Sequence, residues 1–197
     1  MKEMSLTTPI TEEQVLSLDI NDMVYITGIV YTARDMAHLK LRQLLLHKEN
    51  LPEDFSGGVI FHAGPVVKKG DSGWEIWVIG PTTSIRMEPY AEMLGQLGIK
   101  VIVGKGGMGE DTLQSLAKYG GVYLLAAPGC GVTHAGAVKK VLRVHWLSEL
   151  GVPEAIWVLE VNKWGPLVVG MDAHGGSIFE DIARKASNVK ERFFKVQ

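Results

Sequence analysis

Three short segments combine hydroxyls, glycines and a cation in a way that suits an anion. They are Thr32-Ala33-Arg34-Asp35, Gly80-Pro81-Thr82-Thr83-Ser84-Ile85-Arg86 and Gly104-Lys105-Gly106-Gly107. Each follows an apolar run and precedes a helical pattern, so each reads as a strand, a polar turn and a helix start. A helix N-terminus presents unpaired N–H groups and a partial positive charge. Threonine hydroxyls add hydrogen bonds, and glycines let a ligand approach the backbone. Arg34, Arg86 and Lys105 add full charges: arginine grips a carboxylate at two points, whereas lysine acts as a point charge. If the three turns meet at one end of a sheet, they form a pocket for a small, multiply charged anion.

Each segment also has a plainer reading. Serine and threonine at a helix start serve as caps, and a lone arginine pairs with solvent or a surface carboxylate. Gly-Lys-Gly lacks the spaced upstream glycine and the following Ser or Thr of a phosphate loop, which weakens a nucleotide reading. Asp35 and His38 stand three apart. They can meet on a helix, either as an oriented acid–base pair or as a buried pair that fixes the helix. His62, His134, His145 and His174 show no metal-ligand spacing. Cys130, the one cysteine, sits in Pro-Gly-Cys-Gly and reads as a small packing residue rather than a reactive thiol. One thiol forms no internal disulfide and holds no cluster by itself, which fits a reducing, cytoplasmic setting.

The elements that must position these residues follow from the composition and pattern. The chain has 197 residues, 46% hydrophobic and 21% charged, enough to bury a core and too apolar for disorder. A net charge of -2 argues against nucleic acid or an acidic membrane as principal partner. The N-terminus shows no secretory signal. The longest uncharged stretch, Tyr119 to Val138, carries five glycines and Pro128, so it does not read as a membrane span.

Strands are expected at Met23–Tyr31, Gly58–Ala63, Trp74–Ile79, Lys100–Val103, Val122–Ala127, Ala155–Val161 and Leu167–Met171, with a hairpin-like turn at Lys68–Gly73. Helices are expected after an N-cap at Thr32, with Met36, Leu39 and Leu44 on one side and Lys40 and Arg42 elsewhere, then after Ser84 through Met87, Tyr90, Ala91 and Leu94 to Gly98, near Asp111–Tyr119 and over His134–Leu150. A helical tail begins at Ile178 and places Ile178, Ile182, Val189 and Phe193 on one face. The leader up to Leu18 is expected to wrap onto a neighbouring surface. The whole, residues 1–197, reads as one α/β domain with a mixed sheet.

Thr32-Ala33-Arg34-Asp35-Met36-Ala37-His38, Gly80 to Met87 and Val103-Gly104-Lys105-Gly106 resemble, in order and spacing, the β region of the iron–sulfur hydro-lyases. These are the class I fumarases and the L-tartrate dehydratases. Phe61-His62-Ala63-Gly64-Pro65, Glu149-Leu150-Gly151, Pro153 to Trp157 and Asp172 to Gly175 support the likeness, which runs from about Thr8 to Gly175. It implies a swivelling β/β/α domain and an α subunit whose three cysteines carry a four-iron four-sulfur cluster. It also implies Arg34, Thr83, Arg86 and Lys105 as substrate-binding residues and Thr82 as the catalytic base. Ala33 and Met36 depart from the Gly-Arg-Asp-Ala-Ala-His of many relatives. Gly-Cys-Gly-Val around Cys130 departs from the commoner Gly-Cys-Ala-Ala. The expected activity is reversible hydration of fumarate to L-malate by a β subunit working with its α subunit. L-tartrate dehydratase is the alternative within the class, and a non-catalytic small-anion- or nucleotide-binding module the alternative outside it.

Overall fold

The computed structural model describes residues 1–71 and 73–194. The chain opens with β1 (Glu3–Thr7), α1 (Glu12–Leu16), β2 (Met23–Thr32) and α2 (Asp35–His47). Next come β3 (Val59–Phe61), a hairpin of β4 (Ala63–Gly70) and β5 (Gly73–Pro81), a 3₁₀ helix (Ser84–Tyr90), α3 (Ala91–Gln96) and β6 (Val101–Gly104). The second half contains α4 (Glu110–Tyr119), β7 (Val122–Leu125), α5 (Gly131–Gly136), β8 (Val138–His145), α6 (Leu147–Leu150), β9 (Ile156–Met171) and α7 (Ile178–Phe194).

Seven strands form one sheet in the order β1-β2-β3-β6-β7-β9-β8, with β4 and β5 apart as a two-stranded ribbon. β1, β2, β3, β6 and β7 run parallel, and β9 runs antiparallel to β7, β8 and β2. Because β9 pairs with β2 as well as with β7, the strands from β2 to β9 close into a ring. Closure needs bent strands. Register shifts flank Ile26 in β2, and Gly28 takes φ +112°. A Cβ on Gly28 would lie 2.2 Å from Thr8 Oγ1, which accepts the Ile29 N–H.

Alternation along the central strands separates two cores. Val59, Phe61, Val101, Val103, Val122 and Leu124 point into the ring and meet Trp157, Leu159 and Trp164. Ile60, Ile102 and Tyr123 point outward, under Leu41 of α2, Leu94 of α3 and Leu113 of α4. Strands buried on both faces read as continuous apolar runs, which is what these short segments are.

Several expectations are corrected. The leader is part of the fold: β1 pairs with β2, and Leu6, Ile10, Val15 and Leu18 are buried. Residues 134–150 are not one helix but the end of α5, then β8 and α6. The reason is geometric. Register shifts lie between Val138 and Lys140 and between Val141 and Arg143. Each shift adds a residue, so Val138, Val141 and Val144 pack inward at the three-residue spacing of a helix. Ala155–Val161 and Leu167–Met171 are parts of the single strand β9. The segment 68–73 lies mostly within the hairpin strands, and β5 is largely exposed rather than buried. In α2 the buried residues are Ala37, His38 and Leu41, while Met36 is exposed. The tail does form a helix, α7, on which Ile182 and Val189 are exposed, and the side chain of Phe193 lies outside the described part. Among the described residues no helix is long and apolar enough to cross a membrane.

Candidate active site

The carboxyl ends of β2, β3 and β6 lie side by side, the place where α/β sheets receive ligands. Backbone bonds tie the three turns there. Ala33 N donates to Phe61 O at 3.0 Å, His62 N to Val103 O at 2.8 Å and Thr82 N to His62 O at 2.7 Å. Ser84 N donates to Lys105 O at 3.1 Å, and Thr83 and Lys105 form a parallel bridge. The fold therefore brings Arg34, Thr82, Thr83, Arg86 and Lys105 to one edge.

Carboxylates of the chain itself take some of the N–H groups at the starts of α2 and α4. Glu154 takes the Met36 N–H at 2.9 Å, and its other oxygen lies 3.2 Å from Arg34 Nε. That second contact is an ion pair without hydrogen-bond alignment, since Arg34 Nε has no aligned acceptor. α4 begins five residues beyond Lys105, and its first turn is capped by Glu88, which accepts from Gly109 N, Thr112 N and Thr112 Oγ1. Thr32 is no cap: its hydroxyl accepts from Trp157 N and donates to Ala155 O. Thr83 stands at the N-cap of the 3₁₀ helix and makes no side-chain capping bond.

Arg86 Nη2 lies 3.0 Å from Asp35 Oδ2 and donates to Thr82 Oγ1 at 3.0 Å. Asp35 therefore serves Arg86 and makes no hydrogen bond to His38. Among the described residues no carboxylate pairs with Lys105. The edge thus carries three cations against two carboxylates. Glu154 was missed as a site residue. Its only signal was its place in Pro153 to Trp157, since pairing 120 residues away has no local pattern. Cys130 is exposed, not a packing residue.

Under this edge His38 and His62 are buried side by side. Burial pushes His38 down to about 4 and His62 well below the usual imidazole range. The unfolded chain then binds protons that the folded chain refuses, so stability falls as pH drops from about 6.5 toward 4. His38 alone predicts a loss of about 3 kcal/mol over that window, or roughly 6–12 °C in melting temperature. Calorimetry between pH 6.5 and 4.5 checks this, with His38→Asn flattening the slope. An unchanged midpoint over that range would remove the buried neutral imidazole.

No group of three or more His, Cys, Asp or Glu among the described residues is placed to hold a metal ion. Residues 1–182 match the sequence-family model described as Fumarase C-terminus. The chain belongs to that family. Its similarity to curated proteins is broad. It is 48% identical over 177 residues to a Methanocaldococcus jannaschii protein provisionally named L(+)-tartrate dehydratase subunit beta, covering 89% of this chain and 91% of that one. The L(+)-tartrate dehydratase subunit beta of Escherichia coli is 42% identical, with 89% and 86% covered. A Geobacillus stearothermophilus protein provisionally named fumarate hydratase class I is 45% identical over 196 residues, which make up 96% of this chain but 37% of that protein. Within the Fumarase C-terminus family, this chain thus matches β subunits nearly end to end and a minor part of a longer chain.

Proposed function

We propose that this chain is the β subunit of a two-subunit hydro-lyase that interconverts fumarate and L-malate. The observation that carries the reading is the meeting of Arg34, Arg86 and Lys105 with Thr82 and Thr83 at one sheet edge. A dicarboxylate taken out of water needs fixed cationic partners. Arg86 is held by Asp35 and Arg34 by Glu154, so both guanidiniums are preset, and Lys105 adds an unbalanced charge. Three cations against two carboxylates do not neutralise a dianion, so the α subunit supplies the remainder. In this reading the ring and its helices are the swivelling β/β/α half that closes on the α subunit.

One exposed cysteine does not fit a cluster, so the four-iron four-sulfur cluster belongs to the α subunit, where it would give Lewis-acid help to the departing hydroxyl. This chain's residues do the rest. Arg34, Arg86, Lys105 and Thr83 hold the carboxylates. Thr82 Oγ1 takes the proton from the carbon beside one carboxylate while the hydroxyl leaves the neighbouring carbon, and returns it in the hydration direction. A threonine hydroxyl is a weak base unaided. The Arg86 guanidinium 3.0 Å away favours its deprotonated form. A second reading, dehydration of L(+)-tartrate, is favoured by the names of the two relatives matched nearly end to end.

Anaerobic co-expression with the α subunit, followed by assays on fumarate, L-malate and both tartrates, tests the proposal. The iron-loaded pair is expected to hydrate fumarate. The chain alone is expected to bind no stoichiometric iron and to turn over nothing. Turnover of tartrate but not fumarate selects the second reading. An iron-loaded pair inert toward all of them would leave a non-catalytic anion-binding module.

A further inference from the structure

Beneath the three turns runs a string of buried polar side chains that carboxylate binding does not use. The rings of His38 and His62 meet edge to face, centroids 5.2 Å apart. His38 Nδ1 lies 2.7 Å from the Arg34 carbonyl oxygen. A carbonyl only accepts, so Nδ1 carries the proton and donates. That oxygen also takes the His38 backbone N–H at 3.0 Å. His62 Nδ1 lies 3.0 Å from Ser84 Oγ, and Tyr123 donates its hydroxyl to the Gly106 carbonyl at 2.8 Å.

Two observations set this string apart from ordinary packing. The Nε2 atoms of both histidines are buried without a hydrogen-bond partner among the described residues. Apolar rings would fill that space without the cost of unpaired nitrogens, so the histidines are kept for their Nδ1 bonds. Gly104 is the second. A Cβ there would lie 1.8 Å from Ser84 Oγ and 3.3 Å from His62 Nδ1. The glycine of Val103-Gly104-Lys105 makes room for the Ser84–His62 contact.

We infer that His38, His62 and Ser84 are positioning residues that hold Arg34, Thr82 and Lys105 in register, an inference resting on the substrate-binding and catalytic roles proposed above. His38 clamps the carbonyl of Arg34, whose own side chain makes no capping bond. The His62 backbone accepts from Thr82 and donates to Val103, while its ring holds Ser84. Ser84 in turn donates its N–H to the Lys105 carbonyl. Charged and titratable groups around the pair are Arg34, Asp35, Arg86 and Tyr90, with Arg42 over the Tyr90 ring at 4.9 Å. Against these the two imidazoles stay neutral, so the string adds geometry without adding charge.

The test compares His38→Asn, His38→Gln and Ser84→Ala in the complex with the α subunit. Asparagine places an amide N–H where Nδ1 stands; glutamine reaches the Nε2 position instead. Steady-state kinetics are read beside amide hydrogen exchange of the segments holding His38, Thr82 and Ser84. His38→Gln and Ser84→Ala are expected to exchange faster there and to lose about 10²-fold in kcat/KM, as for a displaced reacting group. His38→Asn is expected to restore both. Equal behaviour of the asparagine and glutamine variants, with Ser84→Ala unchanged, overturns the inference. If the unaltered complex acts on no four-carbon dicarboxylate, the roles proposed above fall, and exchange alone decides the string: faster exchange in the glutamine and alanine variants sustains it, and uniform exchange overturns it.

Discussion

Thr82→Val in the assembled enzyme is expected to lose about 10³-fold in turnover, within the range for removal of a proton-transfer group, with little change in apparent affinity. Among the described residues the hydroxyl's one hydrogen bond is accepted from Arg86 Nη2 at 3.0 Å. Its loss therefore leaves the backbone bond from Thr82 N to His62 O intact. A cap would instead give a stability loss of about 0.5–2 kcal/mol and normal kinetics. A group needed only in the transition state lowers kcat while leaving KM, whereas a binding group such as Thr83 mostly raises KM. Steady-state assays and thermal melts on Thr82→Val and Thr83→Val separate these cases. Full turnover by Thr82→Val would move the proton transfer to the α subunit.

Arg86→Lys is expected to cost about 10²-fold in kcat/KM, as for a misplaced positioning group. The guanidinium serves Asp35 and Thr82 from one nitrogen, which leaves the rest of its fork to a carboxylate. Lysine keeps the charge and loses the fork. Both kcat and KM should suffer, because Arg86 both holds substrate and supports the Thr82 oxygen. The two residues touch, so the double variant should lose less than the product of the single losses. Independent losses, or near-normal kinetics for Arg86→Lys, would take Arg86 out of the site.

Much of the site was legible in the chain because its turns are local. Thr82 and Thr83 are adjacent, Arg86 follows within one turn, and each motif ends a short apolar strand. The charge balance was not legible. Glu154 reaches Arg34 and Met36 from the turn before β9, and Glu88 caps α4 from another helix. These carboxylates take N–H groups at the starts of α2 and α4 that the local pattern offered to a ligand. The spacing of Asp35 and His38 allowed them to meet, yet Arg86 claims the first and the Arg34 carbonyl the second.

The same division holds for the fold. Sequence by itself determined the strands β3, β6 and β7, because each is a short apolar run buried on both faces, and β2, because it is rich in Val, Ile and Tyr. It also determined the three polar turns and their cations. Only the tertiary structure decided β8, whose two register shifts give a strand the apolar spacing of a helix. Ring closure was likewise a tertiary decision: β9 pairs with β2, β7 and β8, and which strands a long strand will meet is set by shape and burial of the whole sheet. The pairing of His62 with Ser84 across Gly104 belongs there too, since a glycine kept for space looks in sequence like a glycine kept for a turn.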